Sequence, residues 1–201
     1  MIKEIDARGL ACPAPVLQTK KTVEEEDTEI IKVIVDNEAA RQNVTRFLES
    51  RHFEVSTKQA DEAFYLTGKI DRNMPDSAFS EIKEQEKPGT KKIMVMVSGN
   101  RMGHGDDDLG TKLMISFLKT LKEMGPELWR LVFLNAGVKL TISDAETLSV
   151  LKDLEKDGIY ILVCGTCLTH FNILDKKEVG ETTNMLDIVT AMQLADKVIN
   201  M

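Results

Sequence analysis

No apolar run in these 201 residues approaches the ~20 that a membrane-spanning helix needs. The opening residues, Met1-Ile2-Lys3-Glu4-Ile5-Asp6, lack the apolar centre of a secretion signal. Neither a membrane span nor export is therefore expected. Basic residues are outnumbered, 26 Lys and Arg against 33 Asp and Glu, for a net charge of -7. Phosphate binding needs clustered Lys and Arg, and no basic run occurs, so nucleic acid is not an expected partner. Aromatic residues make up only 5% of the chain against 42% hydrophobic, so the cores must be aliphatic. Cysteine is limited to three, and an odd count argues against a secreted disulfide framework. A reducing cytoplasm, in which thiols stay reactive, is the expected compartment. No internal repeat or low-complexity tract is present.

One of those cysteines has an unusual neighbourhood, Asp6-Ala7-Arg8-Gly9-Leu10-Ala11-Cys12-Pro13-Ala14-Pro15-Val16. A short apolar segment precedes it and a helical pattern follows to about Glu26. Gly9 suits a sharp turn, and Pro13 suits a first helical position, where its missing N–H is no loss and its fixed φ fits. Cys12 then stands at a helix N-terminus, where free N–H groups and the dipole favour an anion such as a thiolate or persulfide. Arg8 either pairs with Asp6 or helps to hold an anionic cargo on Cys12. Core packing has no use for the flanking prolines and the Arg-Gly turn.

The elements around this motif read β-α-β-α-β-β. Residues 30–36 are a dense β-branched strand, a helix runs from Asn37-Glu38 to about Ser50, and residues 53–57 and 63–70 are two strands joined by a polar turn at Asp61-Glu62. That is a complete two-layer unit, a sheet covered on one face by two helices. Residues 71–90 are polar, charged and punctuated by Pro and Gly, a linker. A second alternation follows: strands at 92–98, 128–134 and 159–163, a short strand at 179–181, and helices at 109–124, 144–156 (capped by Ser143) and 185–199. Residues 135–138 are read as an exit loop. The fold class is thus α/β: an N-terminal two-layer sandwich at 1–70, a linker at 71–90, and a C-terminal domain at 91–201 with a mainly parallel sheet and helices on both faces. Ligands of such sheets sit at the carboxyl ends of strands.

At one such end lies Cys164-Gly165-Thr166-Cys167, with His170 three residues on. A cytosolic C-x-x-C can be a redox pair, with the pKa of the first thiol lowered by the helix start and by its neighbour. Two close thiols can also resolve a persulfide, one holding the outer sulfur while the other attacks, releases it and closes a disulfide. A structural zinc site needs four ligands, and Cys164, Cys167, His170 and His104 are the only candidates without a second C-x-x-C, so no metal and no cofactor is expected. A thioredoxin-like site is disfavoured, since no Trp precedes Cys164 and the following helical segment is short. Asp106-Asp107-Asp108 suits the cap of the next helix. His104 is read as a solvated loop residue, and Met94, Met96, Met114 and Met192 as core.

These residues resemble known families. The run from Asp6 to Val16, above all Arg8-Gly9, Cys12-Pro13 and Pro15, resembles the signature of TusA/SirA-like sulfur carriers. The resemblance covers residues 1 to about 70 and implies that Cys12 accepts sulfur as a persulfide. Val163-Cys164-Gly165-Thr166-Cys167-Leu168, the Gly-rich loop after residue 98, and the tail Val179-Gly180-Glu181-Thr182-Thr183-Asn184-Met185 resemble the DsrE-like family, more loosely. This resemblance implies homo-oligomers through the C-terminal domain. The pairing of the two resembles the YedF-type proteins linked to selenium metabolism.

Together these imply a sulfurtransferase-like carrier of sulfane sulfur, or of selenium in the same oxidation state. Cys12 would take the chalcogen from a cysteine desulfurase-type donor, and Cys164 and Cys167 would relay or release it to an acceptor protein, with Arg8, Gly9, Pro13, Pro15 and His170 in support. Two alternatives stand beside this: a thiol-disulfide redox protein centred on Cys164 and Cys167, and a non-enzymatic module that binds partners of a sulfur relay.

Overall fold

The computed structural model describes residues 2–25, 28–70 and 90–201. Its internal contacts divide the chain into two compact units, Met1–Gln85 and Glu86–Met201. Apart from Thr90, the linker expected at 71–90 lies outside the described residues.

In the first unit the chain runs β1 (Ile2–Asp6), α1 (Ala14–Glu25), β2 (Ile30–Val35), α2 (Glu38–Glu49), β3 (Phe53–Ala60) and β4 (Ala63–Ile70). The sheet order is β1-β2-β4-β3, with β1 parallel to β2 and the other pairs antiparallel. The dense β-branched strand expected at 30–36 forms as β2 with one face to the core: Ile31, Val33 and Val35 are fully buried while Lys32 is exposed. Those three stand opposite Gly68, Leu66 and Phe64 of β4. A Cβ on Gly68 would come within 3.2–3.3 Å of Ile31, Leu48 and Phe53. The missing side chain therefore lets α2 close down on the sheet through Leu48. Asn37 caps α2, its carboxamide oxygen accepting from the Ala40 N–H at 2.8 Å. Asp61 and Glu62 both take positive φ, 48° and 60°, the pairing that a two-residue hairpin turn demands.

The second unit is a five-stranded, wholly parallel sheet in the order β8-β7-β6-β5-β9. Its strands are β5 (Ile93–Val97), β6 (Leu128–Phe133), β7 (Tyr160–Cys164), β8 (Glu181–Thr183) and β9 (Lys197–Asn200). Val95, Val97, Leu131, Phe133, Ile161 and Val163 form one face. It is covered by α3 (Asp107–Thr120), α4 (Leu148–Lys156) and α5 (Gly165–His170) through Met114, Leu118, Leu151, Leu154 and Leu168. Met94, Val132 and Leu162 form the other face, covered by Ile188 and Ala191 of α6 (Met185–Leu194). Helices on both faces of a parallel sheet are what the alternating pattern predicts.

Several boundaries differ from the sequence reading, each for a visible reason. The helix expected to reach residue 124 ends at Thr120, and a 3-10 stretch, Leu121–Glu127, follows with Gly125 at φ 57° and Pro126 inside it. Ser143 does not cap a helix at 144. Its N–H donates to the Lys176 carbonyl beside an Ile142–Lys177 bridge, the Thr147 hydroxyl donates to the Leu140 carbonyl at 2.7 Å, and α4 starts only at Leu148. The helix expected over 185–199 stops at Leu194, and Lys197–Asn200 becomes β9 against β5. A clasp makes that turn: the Lys92 N–H donates to the Asp196 carboxylate at 2.7 Å and the Asp196 N–H donates back to the Lys92 carbonyl at 2.9 Å. The short strand expected at 179–181 forms at Glu181–Thr183, and residues 135–138 are the start of a 3-10 turn, Asn135–Leu140, rather than an open loop. Met94 and Met114 are fully buried, whereas Met192, expected in the core, lies exposed on α6.

Candidate functional site

The first candidate thiol follows β1. Pairing of β1 with β2 continues one step past the strand, the Ala7 N–H reaching the Ile34 carbonyl at 2.8 Å. The chain then turns at Gly9, whose φ of 71° explains the choice of residue. The Gly9 N–H donates to the Asp36 carboxylate at the end of β2, so the loop is tied at both ends to the two parallel strands. That donation is the main reason the Asp36 carboxyl lies below its usual range.

Arg8 settles the choice left open by the sequence. Its guanidinium reaches Asp6 with two bonds, 2.9 and 2.6 Å, and holds the Asp6 carboxyl down at about 2. It is paired with Asp6. Past the turn, the Ala14 N–H donates to the Ala11 carbonyl at 2.9 Å, and the Pro13 carbonyl accepts the first helical bond from Leu17 at 3.0 Å. Pro13 therefore opens α1 as its cap, one residue earlier than the first-turn position expected for it; a proline tolerates either place because neither asks for its missing N–H. The peptide bond before it is cis. Pro15 and Val16 are buried, which anchors the first turn of α1, and Cys12 stands partly exposed just before it.

The second candidate site lies at the carboxyl ends of β6 and β7. Cys164 is the last residue of β7 and is 5% exposed. One turn of α5 then brings Cys167 back beside it, as a spacing of three does on a helix. Cys167 is partly exposed, and neither sulfur is in a disulfide. Three groups favour its thiolate. A hydrogen bond from Cys164 is the largest influence, the Asn135 N–H donates from 3.1 Å, and electrostatic interaction with His170 adds to both. Partial burial opposes them, and the net result holds Cys167 down at about 6. The surroundings thus favour ionisation at Cys167, whereas the sequence rule places it at the first thiol. The reason is placement: Cys164 is packed under the helix as a donor, while Cys167 faces the β6 exit.

His170 stacks edge-on against Phe171, ring centroids 5.1 Å apart, and Lys139 of the Asn135 turn sits 4.2 Å over that same Phe171 ring. Asn135 is the residue that sequence reasoning missed. Its φ of 44° is unusual for a residue with a side chain, and Asn after a strand is a recognisable sign of that conformation. Nothing local, however, announces that its N–H meets a sulfur 32 positions away.

The remaining candidates have plainer roles. Asp106 caps α3, its carboxylate accepting from the Leu109 N–H at 2.7 Å, and Asp107 pairs with Arg101. His104 is exposed in the Gly-rich loop. Among the described residues, no three His, Cys, Asp or Glu side chains are grouped to hold a metal ion, and no helix is long and apolar enough to cross a membrane.

Comparison with known proteins divides the chain along similar lines. Residues 3–70 match the family model of sulfurtransferase TusA, and residues 91–201 match that of the DsrE/DsrF-like family. MJ0990 of Methanocaldococcus jannaschii, named as a sulfur carrier protein, is 36% identical over 63 residues, 31% of this chain and 84% of that one. YrkI of Bacillus subtilis, named likewise, is 36% identical over 65 residues, 32% of this chain and 85% of its own. Among solved structures, a SirA-like protein from Desulfitobacterium hafniense covers 34% of this chain and 96% of itself at 32% identity, with a TM-score of 0.32. The ychN protein from E. coli covers 56% of this chain and 100% of itself at 18% identity, with a TM-score of 0.45.

Proposed function

Since the chain belongs to the TusA sulfurtransferase family through residues 3–70 and to the DsrE/DsrF-like family through residues 91–201, we propose that it carries sulfane sulfur between proteins, with one station in each unit. Residues 1–70 form the first carrier domain, 91–201 the second, and 71–90 join them. Cys12 accepts the sulfur from a cysteine desulfurase-type donor: its thiolate attacks the donor's outer sulfur, the donor's S–S bond breaks, and the electron pair stays with the donor thiol. The same exchange then moves the sulfur onward to Cys167. No net oxidation occurs in either step, because one persulfide is consumed for each one made. The carrier acts in the cytoplasm, where thiols stay reduced, and the second unit assembles with copies of itself.

The observation that most supports this reading is the state of Cys167: partly exposed, held as a thiolate near neutrality, and backed by a buried thiol. Thiolate fraction governs attack on a persulfide. Cys164 behind it can attack the inner sulfur, closing a Cys164–Cys167 disulfide and expelling hydrosulfide, after which a dithiol reductant restores the pair. Selenium in the same oxidation state would travel by the same bonds, and supplying selenocysteine to the donor in place of cysteine tests it.

The test is to incubate the reduced chain with a cysteine desulfurase and cysteine and to map added sulfur by peptide mass spectrometry. The expected result is one added sulfur atom on the Cys12 peptide that appears later on the Cys167 peptide. Cys12→Ala should abolish both. Full transfer by Cys12→Ala would refute the relay. The adjacent thiols, neither in a disulfide, also favour a second reading, a thiol-disulfide redox protein. It requires a cytosolic-range potential for Cys164 and Cys167 and no sulfur on Cys12.

A further inference from the structure

Asn135 leaves β6 in the left-handed region, φ 44°, which a residue with a side chain adopts at some cost. That conformation aims its N–H at the Cys167 sulfur, 3.1 Å away. Main chain fixes the turn that carries it. The Leu134 N–H donates to the Val97 carbonyl at 3.0 Å, and the Gly137 N–H donates to the Leu134 carbonyl at 2.8 Å. Gly137 lies so close to the end of β5 that a Cβ there would stand 2.2 Å from the Val97 carbonyl oxygen. The donor is thus held by packed backbone and not by a mobile side chain, which is how a preorganised anion-stabilising group is built.

We infer that the Asn135 N–H selects the fate of sulfur held on Cys167, favouring delivery of the outer sulfur to an acceptor thiol over its release as hydrosulfide. The inference rests on the carrier reading of Cys167 given above. Two reactions compete for the same S–S bond. In delivery, an acceptor thiolate attacks the outer sulfur, the bond to Cys167 Sγ breaks, and the electron pair returns to Sγ, the atom that the amide faces. In release, the Cys164 thiolate attacks Cys167 Sγ and the pair leaves on the outer sulfur, which takes up a proton as hydrosulfide. A Cys164–Cys167 disulfide remains for a dithiol reductant to reset. Negative charge concentrates on the attacking and leaving sulfurs. Sγ is the leaving atom in delivery and the central atom in release. A thiol of lower pKa leaves faster, so a donor fixed on Sγ speeds delivery and does little for release.

The ionisable groups around Cys167 are Cys164 at the end of β7, His170 on its own helix, and Lys139 on the Asn135 turn, held over Phe171. Asp175 and Lys176 follow on the next turn. Substitution at position 135 leaves the identity of each of these groups unchanged.

The experiment loads the full chain, carrying Cys12→Ala so that sulfur enters only the second unit, with inorganic polysulfide. A small acceptor thiol is then added, and delivered persulfide is counted against free hydrosulfide. Asn135→Val, whose β-branched side chain resists positive φ, should lower the delivered-to-released ratio several-fold and raise the pH midpoint of Cys167 alkylation by about one unit. Asn135→Gly, which takes positive φ freely, should move both less. An unchanged ratio in Asn135→Val, with sulfur loaded normally, overturns the inference and leaves the carrier reading standing. If the native second unit takes up no sulfur, the carrier reading falls and the inference with it. Should Asn135→Val fail to fold, NMR on the native chain decides. The Asn135 amide proton must follow the ionisation of Cys167 with the same midpoint and lose that dependence in Cys167→Ala. An Asn135 amide signal indifferent to that titration overturns the inference.

Discussion

Replacing Cys164 by alanine removes the donor that does most to keep Cys167 ionised. Native Cys167 lies at about 6 against an ordinary 9.0. A hydrogen bond to a charged group contributes about 1.5–3 kcal/mol and one pKa unit is about 1.4 kcal/mol, so its loss should raise the midpoint by about one to two units. The Asn135 N–H and His170 remain, which keeps the shift short of a full return. The rate at neutral pH is a poor readout. There the variant thiolate is scarcer but more basic, and a Brønsted slope of about 0.4–0.5 returns most of the loss. Near pH 5 both chains are mostly protonated, and alkylation of Cys167 in Cys164→Ala should be about three- to tenfold slower than in the native chain. Cys164→Ser places an O–H at the same position and should keep the midpoint near its native value. The assay is a pulse of iodoacetamide across the pH range, read on the Cys167 peptide by mass spectrometry. An unchanged midpoint in Cys164→Ala, or an equal rise in Cys164→Ser, would refute the assignment of Cys164 as donor.

Three further outcomes follow from the same structure. Because folding depresses the Cys167 pKa, its ionisation stabilises the second unit above the unfolded thiol value, and that stabilisation is lost as pH falls through about 6. The melting temperature of the native chain should therefore gain on that of Cys167→Ala between pH 6 and about 9, and stay level with it below that window. Gly137→Ala drives a methyl against the Val97 carbonyl and should destabilise the second unit by about 1–3 kcal/mol in denaturant titration. Its Cys167 midpoint should rise as well, since the Asn135 turn must shift to make room. Arg8→Ala should raise the Asp6 carboxyl toward its usual range in an NMR titration and lower the melting of the first unit only modestly, as expected of an exposed ion pair.

The parts of the fold that were legible are those whose cause is local. β2 declares itself by its dense run of β-branched residues, α2 by Asn37 ahead of its helix, and the hairpin by the polar pair Asp61-Glu62 between two apolar runs. The Cys12 motif is likewise readable, because Gly9 and Pro13 report backbone requirements of their own immediate turn. Elements governed by distant partners were not. β9 exists because Asp196 and Lys92, 104 positions apart, clasp each other and offer residues 197–200 the free edge of β5. The residues from Met185 onward keep a helical apolar pattern through that point, so periodicity alone extends the helix. Ser143 fails as a cap for the same reason, its N–H being drawn to Lys176.

The surroundings of Cys167 show where sequence reasoning stops at a paired-thiol site. A C-x-x-C after a strand invites the rule that the first cysteine, at the helix start, is the acidic one. That rule assumes that the helix supplies the stabilising groups. Here α5 is only six residues long, and two of the three stabilising groups, the Cys164 thiol and the Asn135 amide, come from the strand end below it and from a turn on the neighbouring strand. Cys164 is buried because it finishes a central strand between β6 and β8, so it serves as donor. Cys167 is carried one turn further, out toward the β6 exit, so it receives. The donors that face Cys167 are thus supplied by strand order, β8-β7-β6, and by the left-handed turn at Asn135. The direct check is the alkylation order. A limiting dose of iodoacetamide near pH 6.5 should label Cys167 well ahead of Cys164, and preferential labelling of Cys164 would return the pair to the order that the sequence alone suggests.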